Sequence, residues 1–344
     1  MRVPAEWERQ ECVQLTWPHR DTDWCNMLDQ ATSCFVEIAK AISVRERLLI
    51  VAPEKEEVKK RLTESGVNID NVTFFECKTN DTWARDHAFI TSVEENGEFV
   101  LNDFCFNGWG EKFNSVYDNK INQSLFSAGL FGTAHYKDMN SLVLEGGSIE
   151  TDGKGTLLTT SSCLLSKNRN DFYNIENAEY TLAPLMGAKN FLCLEHGCIV
   201  GDDTDGHIDT LARLCPNDTI VYVKCYNESD EHFAELSEME KELMTFRTMD
   251  GRSFNLVPLP LPSEIVFEGE RLPATYANFL IINNAVLVPI YGQDSLDNEA
   301  IEVLSKVFPD REIIGINCLP LIRQHGSLHC VTMHYPEGVG LNKI

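Results

Sequence analysis

The strongest constraint on the fold is an alternation of short strands, tight turns and helices that recurs about every 70 residues. Arg47–Pro53 carries Leu-Leu-Ile-Val, the pattern of a buried strand, and a helical stretch follows to about Ser65. Val72–Glu76 is a second strand. Ala88–Val93 and Glu98–Asp103 flank Glu95-Asn96-Gly97, a hairpin signal. Asn114–Leu130 is predicted helical, and Leu142–Leu144 and Thr156–Thr160 are predicted strands with a turn at Asp152-Gly153. Glu176–Met186 reads as a helix, Asn190–Leu194 and Thr219–Cys225 as strands. Glu231–Thr248 is the clearest helix, with Phe233, Leu236, Met239, Leu243 and Phe246 at helical spacing as a core stripe. Ala277–Ile290 folds back around Asn283-Asn284, Ser295–Val307 is helical, and Glu312–Asn317 and Leu328–Met333 are closing strands.

The unit is strand, strand, helix, strand, repeated about five times, which makes the chain α/β with both hairpins and crossover helices. A doubly wound sheet would show fewer hairpins. No Gly-x-Gly-x-x-Gly follows the first strand and no Gly-Lys-Ser/Thr loop is present, which argues against dinucleotide or nucleotide-phosphate binding. Val257–Pro262 reads as an extended edge, not a linker, so residues 1–344 are expected to form a single catalytic domain.

With 29 Lys+Arg against 53 Asp+Glu the formal charge is −24, which repels nucleic acid and anionic membranes and draws in small cations. There is no apolar run long enough for a transmembrane helix, and the N-terminus lacks a signal peptide. The 12 cysteines show no C-x-x-C pair, so reduced thiols in a cytoplasmic protein are expected. A homo-oligomer is compatible with the sequence.

Four segments carry candidate chemistry. In Gly201-Asp-Asp-Thr-Asp-Gly-His207-Ile-Asp209, His207 and Asp209 are two apart and would share a face of a strand. Histidine shuttles protons near neutral pH. Asp202, Asp203 and Asp205 crowd the preceding turn, an arrangement that is costly unless a cation answers it. A solvated acidic loop is the bland alternative. Cys330, after Gly326 and beside His329, lies on or just before a strand; a reactive thiol is favoured over an inert one. On a strand His329 would face away from Cys330, so adjacency alone does not pair them. In Trp83-Ala-Arg-Asp86 the charges could form a plain surface pair and Trp83 could be core. Glu145 precedes Gly146-Gly147 after an apolar run, so a buried carboxylate in need of a partner is expected, with a β-bulge as the dull alternative.

One nucleophile, one histidine and several carboxylates make an odd set for a neutral acyl group, because the acids would raise the thiol pKa. They suit a cationic electrophile. A guanidinium is planar, always charged and gripped bidentately by carboxylates.

Trp83-Ala-Arg-Asp86, Glu145-Gly-Gly-Ser, Gly206-His207-Ile-Asp209 and His329-Cys330, with Trp17-Pro-His-Arg20, Thr156-Leu-Leu-Thr-Thr160, Cys163-Leu-Leu and Asn168-Arg-Asn170, resemble the agmatine deiminases. These belong to the peptidyl-arginine-deiminase-like branch of the guanidine-modifying pentein superfamily. The resemblance runs from Trp17 to about Tyr335. It implies a five-bladed α/β propeller of ββαβ units and a hydrolase that turns agmatine into N-carbamoylputrescine and ammonia without metal or organic cofactor. By the same resemblance Cys330 is the nucleophile and His207 the general acid/base, Asp86, Asp209 and Glu145 hold the guanidinium, and Trp83 lines the site. The alternatives are an arginine or peptidyl-arginine deiminase with the same chemistry, a metal-dependent hydrolase built on His207, Asp209 and the 202–205 acids, and a non-catalytic polyamine binder. Two segments depart from the family: His87-Ala88-Phe89 where many members have Thr-Gly-Pro, and Gln324-His325-Gly326-Ser327 in place of a glycine-richer approach to the cysteine.

Overall fold

The structure, a computed structural model, describes residues 1–342. Among them are five small mixed sheets built alike: in each, one strand pairs antiparallel with the next, which pairs parallel with a third. Ile90–Val93, Phe99–Cys105 and His135–Val143 form one; Glu150–Thr151, Thr156–Thr160 and Asn190–Leu194 the next. Ala212–Cys215, Thr219–Lys224 and Asn255–Pro260 form another; Leu280–Ile282, Ala285–Ile290 and Glu312–Asn317 the fourth. The remaining sheet joins the two ends of the chain. Thr332–Pro336 pairs antiparallel with Gln10–Thr16, which pairs parallel with Arg47–Ala52 and, beyond it, Val72–Glu76. A parallel pair needs a crossover, and helices such as Ile175–Met186, Phe233–Thr245 and Asp294–Val307 supply it.

Local chemistry explains these elements. Helix Phe233–Thr245 buries Leu236, Met239 and Leu243, as its spacing predicts. Pro258 and Pro260 are two apart, so their missing donors fall on one side of the strand, and that strand is the sheet's edge. Asn284 takes φ 64 at the turn between Ile282 and Ala285, a conformation asparagine tolerates.

Several expectations are corrected. The first strand, Gln10–Thr16, and the long helix Leu28–Ser43, which buries Ala31, Phe35, Ile38 and Ile42, were not foreseen. The helix expected over 114–130 is only Ile121–Ser127 behind a short 3-10 turn. The strand placed at Leu142–Leu144 begins at His135, and Glu150–Thr151 is the partner of Thr156–Thr160. The closing strand starts at Thr332, leaving Cys330 in the turn before it. No described helix is long and apolar enough to cross a membrane.

Candidate active site

Three of the four segments singled out in the sequence line one cavity of about 170 Å3, through Trp83 and Asp86, through Asp203, and through His325 and Cys330, with Trp109 beside them. Asp86 stands in the short helical turn Ala84–His87. The Arg85 backbone N–H donates to the Cys330 carbonyl at 3.1 Å, which ties the two segments together. Arg85 and Asp86 are not a surface pair: both are buried, and the Arg85 guanidinium turns away to Glu6 at 3.2 Å.

Asp86 Oδ1 accepts from the Gly147 N–H at 3.0 Å, and Oδ2 accepts from the Trp109 indole at 2.9 Å. Burial, then the nearby Glu145, push its carboxyl up to about 7, and these two donors hold it down. Trp109 adopts φ 56 between Gly108 and Gly110, a strained backbone for an aromatic residue, costing about 1–3 kcal/mol.

His207 and Asp209 reach the site without the strand expected for them. His207 is extended at the start of the 3-10 turn Ile208–Thr210. Both side chains still converge, as Gly147 records: a Cβ there would lie 2.6 Å from His207 Nδ1, 2.9 Å from Asp86 Oδ1 and 3.1 Å from Asp209 Oδ2. Only glycine fits between these three groups. The Gly146–Ser148 segment is a 3-10 turn and not a bulge.

Both ring nitrogens of His207 and Oδ1 of Asp209 are buried without a hydrogen-bond partner. Buried polar atoms are rarely left so, and here they point to a ligand. Burial, then Arg169, lower the His207 pKa well below its usual value, so the ring is neutral and can accept a proton. Asp209 is pushed well up by burial and by Asp86. Cys330 Sγ lies 3.4 Å from Asn278 Oδ1 and 4.0 Å from Asp209 Oδ2; burial, then Asp209 and Asp86, raise its pKa well above the usual value, which favours the thiol.

Glu145 lies behind His207 rather than on the cavity wall, its Oε2 4.0 Å from Nε2. Both of its oxygens accept from Arg169 Nε at 3.0 and 3.2 Å. Arg169 also binds Asp205 at 2.6 Å and the Thr204 carbonyl at 2.9 Å, so it fixes the 201–207 segment beneath the histidine. Asp202 caps the same turn, accepting from the Thr204 and Gly206 N–H groups. The acidic run thus divides: Asp202 and Asp205 hold the turn, and Asp203 faces the cavity.

Glu145, Cys163 and His207 offer ligand atoms within 4.8 Å of one another, a different set from the acids the sequence suggested for a metal. Arg169 places its own positive charge on Glu145, which opposes a cation there.

Three site residues are not among those the sequence pointed to, Trp109, Asn278 and Glu6, and Arg169 stood only within the Asn168-Arg-Asn170 resemblance, with no role given. Gly108-Trp109-Gly110 was the one local signal, because glycines on both sides mark a backbone shaped to present the ring. Asn278 joins the halves of the site, accepting from the His329 N–H at 2.9 Å and donating to the Asp209 carbonyl at 3.3 Å.

The profile of the Porphyromonas-type peptidyl-arginine deiminases matches residues 2–336. A Marinomonas protein provisionally named agmatine deiminase is 30% identical over 98% of this chain and 94% of its own length. A Porphyromonas gingivalis structure provisionally named arginine deiminase is 50% identical with TM-score 0.93, covering 98% of each chain. The substrate-bound agmatine deiminase of C. jejuni is 40% identical with TM-score 0.89, covering 99% of this chain and 97% of that one. An amidinotransferase of Microseira wollei, 13% identical at TM-score 0.53 over 100% and 99%, shares the fold alone. Profile, relatives and structures agree: the chain belongs to the Porphyromonas-type peptidyl-arginine deiminase family.

Proposed function

We propose that the protein hydrolyses agmatine to N-carbamoylputrescine and ammonia, a step that feeds putrescine and polyamine synthesis. The observation that carries this reading is the convergence of Asp86, the unpartnered Asp209 Oδ1 and the unpartnered His207 nitrogens beside Cys330. Two carboxylates aimed at one point suit a guanidinium, whose charge offsets theirs and favours the thiolate.

His207 takes the Cys330 proton, and Sγ attacks the guanidinium carbon. The imidazolium returns that proton to the departing nitrogen, ammonia leaves, and an amidino-cysteine remains. Water then attacks as His207 takes one of its protons; the C–S bond breaks, the tetrahedral adduct loses its hydroxyl proton to solvent to give the carbamoyl product, and the departing Cys330 sulfur takes back the proton from His207. Asp86 and Asp209 orient the guanidinium and Trp83 walls the cavity. Glu145, held by Arg169, acts through His207 and stabilises its protonated form.

The outer cavity favours agmatine over arginine. Asp23, Asp81 and Asp203 line it, and among the described residues no lysine or arginine does. Such a mouth attracts an ammonium tail and repels an α-carboxylate. The five like-built sheets, with the last strand paired to the first, support a five-bladed propeller formed by one domain over residues 1–344. Twelve free thiols suit a reducing compartment, the cytoplasm. No nucleic-acid or membrane partner is proposed for a chain of charge −24. A homo-oligomer remains compatible with this reading.

The test is ammonia release from agmatine, arginine and an arginyl peptide. Agmatine should give the highest kcat/KM, and Cys330→Ala should abolish release while keeping the fold. Preference for arginine or the peptide would favour the alternative substrates, and full activity in Cys330→Ala would refute the mechanism.

A further inference from the structure

Behind Asp209, on the side away from the cavity, lies a buried chain of charge that the chemistry above does not use. The His329 ring bridges two carboxylates: Nδ1 is 2.7 Å from Asp209 Oδ2, and Nε2 is 2.7 Å from Glu6 Oε2. All three residues are buried. Although burial pushes Glu6 up, His329, Arg213 and Arg85 hold it well below the usual carboxylate range, so it is an anion. The Arg213 and Arg85 guanidiniums each lie 3.2 Å from it. With Glu6 an anion against Nε2, its pull favours the tautomer with the hydrogen on Nε2, which leaves Nδ1 to accept. The remaining groups facing this chain are Arg213 Nη2, 3.0 Å from His329 Nε2, Glu150 on Arg213, and His334, 3.6 Å from Glu6. Asp86 and Cys330 face Asp209 from the cavity side.

An empty cavity sets Asp209 against Asp86 with no cation between them, and two buried carboxylates in that position cannot both stay ionised. A proton on Asp209 Oδ2, donated to His329 Nδ1, satisfies every atom of the bridge. A bound guanidinium reverses the preference. On the reading that this site takes a guanidinium, we propose that His329, backed by Glu6, is a positioning residue that acts through Asp209 by exchanging one proton along their shared hydrogen bond. When the cation enters, the O–H bond on Oδ2 breaks and an N–H bond forms on Nδ1. Asp209 becomes an anion with both oxygens oriented; burial, Arg213 and Arg85 disfavour an imidazolium at His329, and Glu6 together with the new Asp209 anion offsets them, so that no proton leaves the protein. When the cavity empties, the proton returns.

The test is calorimetric titration of agmatine into Cys330→Ser protein in two buffers of different ionisation enthalpy, which counts protons released on binding. His329→Asn can still donate a hydrogen bond to Asp209 but cannot take its proton. Near pH 7 the Cys330→Ser/His329→Asn protein should release about one more proton per agmatine bound than the parent, and its affinity should rise with pH. Glu6→Gln keeps an acceptor for Nε2 but removes the charge, so it should shift the proton count in the same direction and weaken binding about tenfold. Circular dichroism checks that each variant folds, and Glu6→Gln carries the test if His329→Asn does not. An unchanged proton count and pH profile in the folded variants would overturn the proposal and make His329 merely structural. If the parent binds no agmatine, the functional reading fails, and the proposal falls with it.

Discussion

Two buried arginines brace this site from opposite sides, and they are built differently. Arg169 holds Glu145 and Asp205, and its reach ends at the half-exposed segment that carries His207. Arg213 is sealed. It binds Glu6 and Glu150, donates to the Ala277 and Phe279 carbonyls, and lies over the Phe279 ring at 4.6 Å. Those partners come from the N-terminal segment, from the strand Glu150–Thr151 and from the loop that leads into Leu280–Ile282. One arginine orients a catalytic side chain; the other joins parts of the fold and touches the chemistry only through His329. Orientation and stability are thus carried by separate charges, and substitutions should separate them.

The largest effect is expected at Arg213. Arg213→Met leaves Glu150 buried without its counter-charge, leaves Glu6 with Arg85 as its remaining arginine and strips the donors from the Ala277 and Phe279 carbonyls, which costs about 3–5 kcal/mol. The unfolding free energy from urea denaturation should fall by that amount, and a loss below about 1 kcal/mol would mean that the sealed network does not join the sheets. Arg169→Met should behave in the opposite way. Asp205 keeps Lys112 at 2.7 Å, and Glu145, already pushed up by burial, can take a proton in place of its partner. The fold should change little, and kcat should drop about 10–100-fold because Glu145 no longer supports protonated His207, with KM nearly unchanged. A loss confined to KM would place Glu145 on the substrate instead, the role expected from the sequence.

What the sequence made legible were residue types in short segments: a thiol, a histidine, and carboxylates beside glycines. It also made the repeating strand–strand–helix–strand unit visible, because hairpin turns and helical stripes are local. His207 and Asp209 converge as their spacing predicts, but a 3-10 turn, not a strand, aims them. The supports were illegible for a physical reason. Glu6 meets His329 across 323 positions and Arg213 across 207, and no local pattern records contacts that only the assembled sheets create. Helix Leu28–Ser43 is another matter: its buried residues recur at helical spacing, so that element is legible locally.

The smallest effect is at Trp109 and sharpens the cavity side of the comparison. Asp86 titrates at about 7, and its bond from the Trp109 indole is one of two that favour the ionised form. If Asp86 must be ionised to hold a guanidinium, kcat/KM should rise with pH through about 7. Trp109→Phe removes the donor but keeps the ring, so Asp86 should titrate higher and the rising limb should move to higher pH by up to about one unit. The variant would then lose several-fold at pH 6 and little at pH 9. Stability should follow the same group with a known sign. Its folded pKa of about 7 exceeds the unfolded value near 3.8, so the unfolded chain releases this proton first. The Asp86 contribution therefore falls as pH rises between those values. In Trp109→Phe the decline should extend to higher pH, and agmatine should reverse it by supplying the missing cation. A rising limb that stays fixed in Trp109→Phe would assign it to a group other than Asp86.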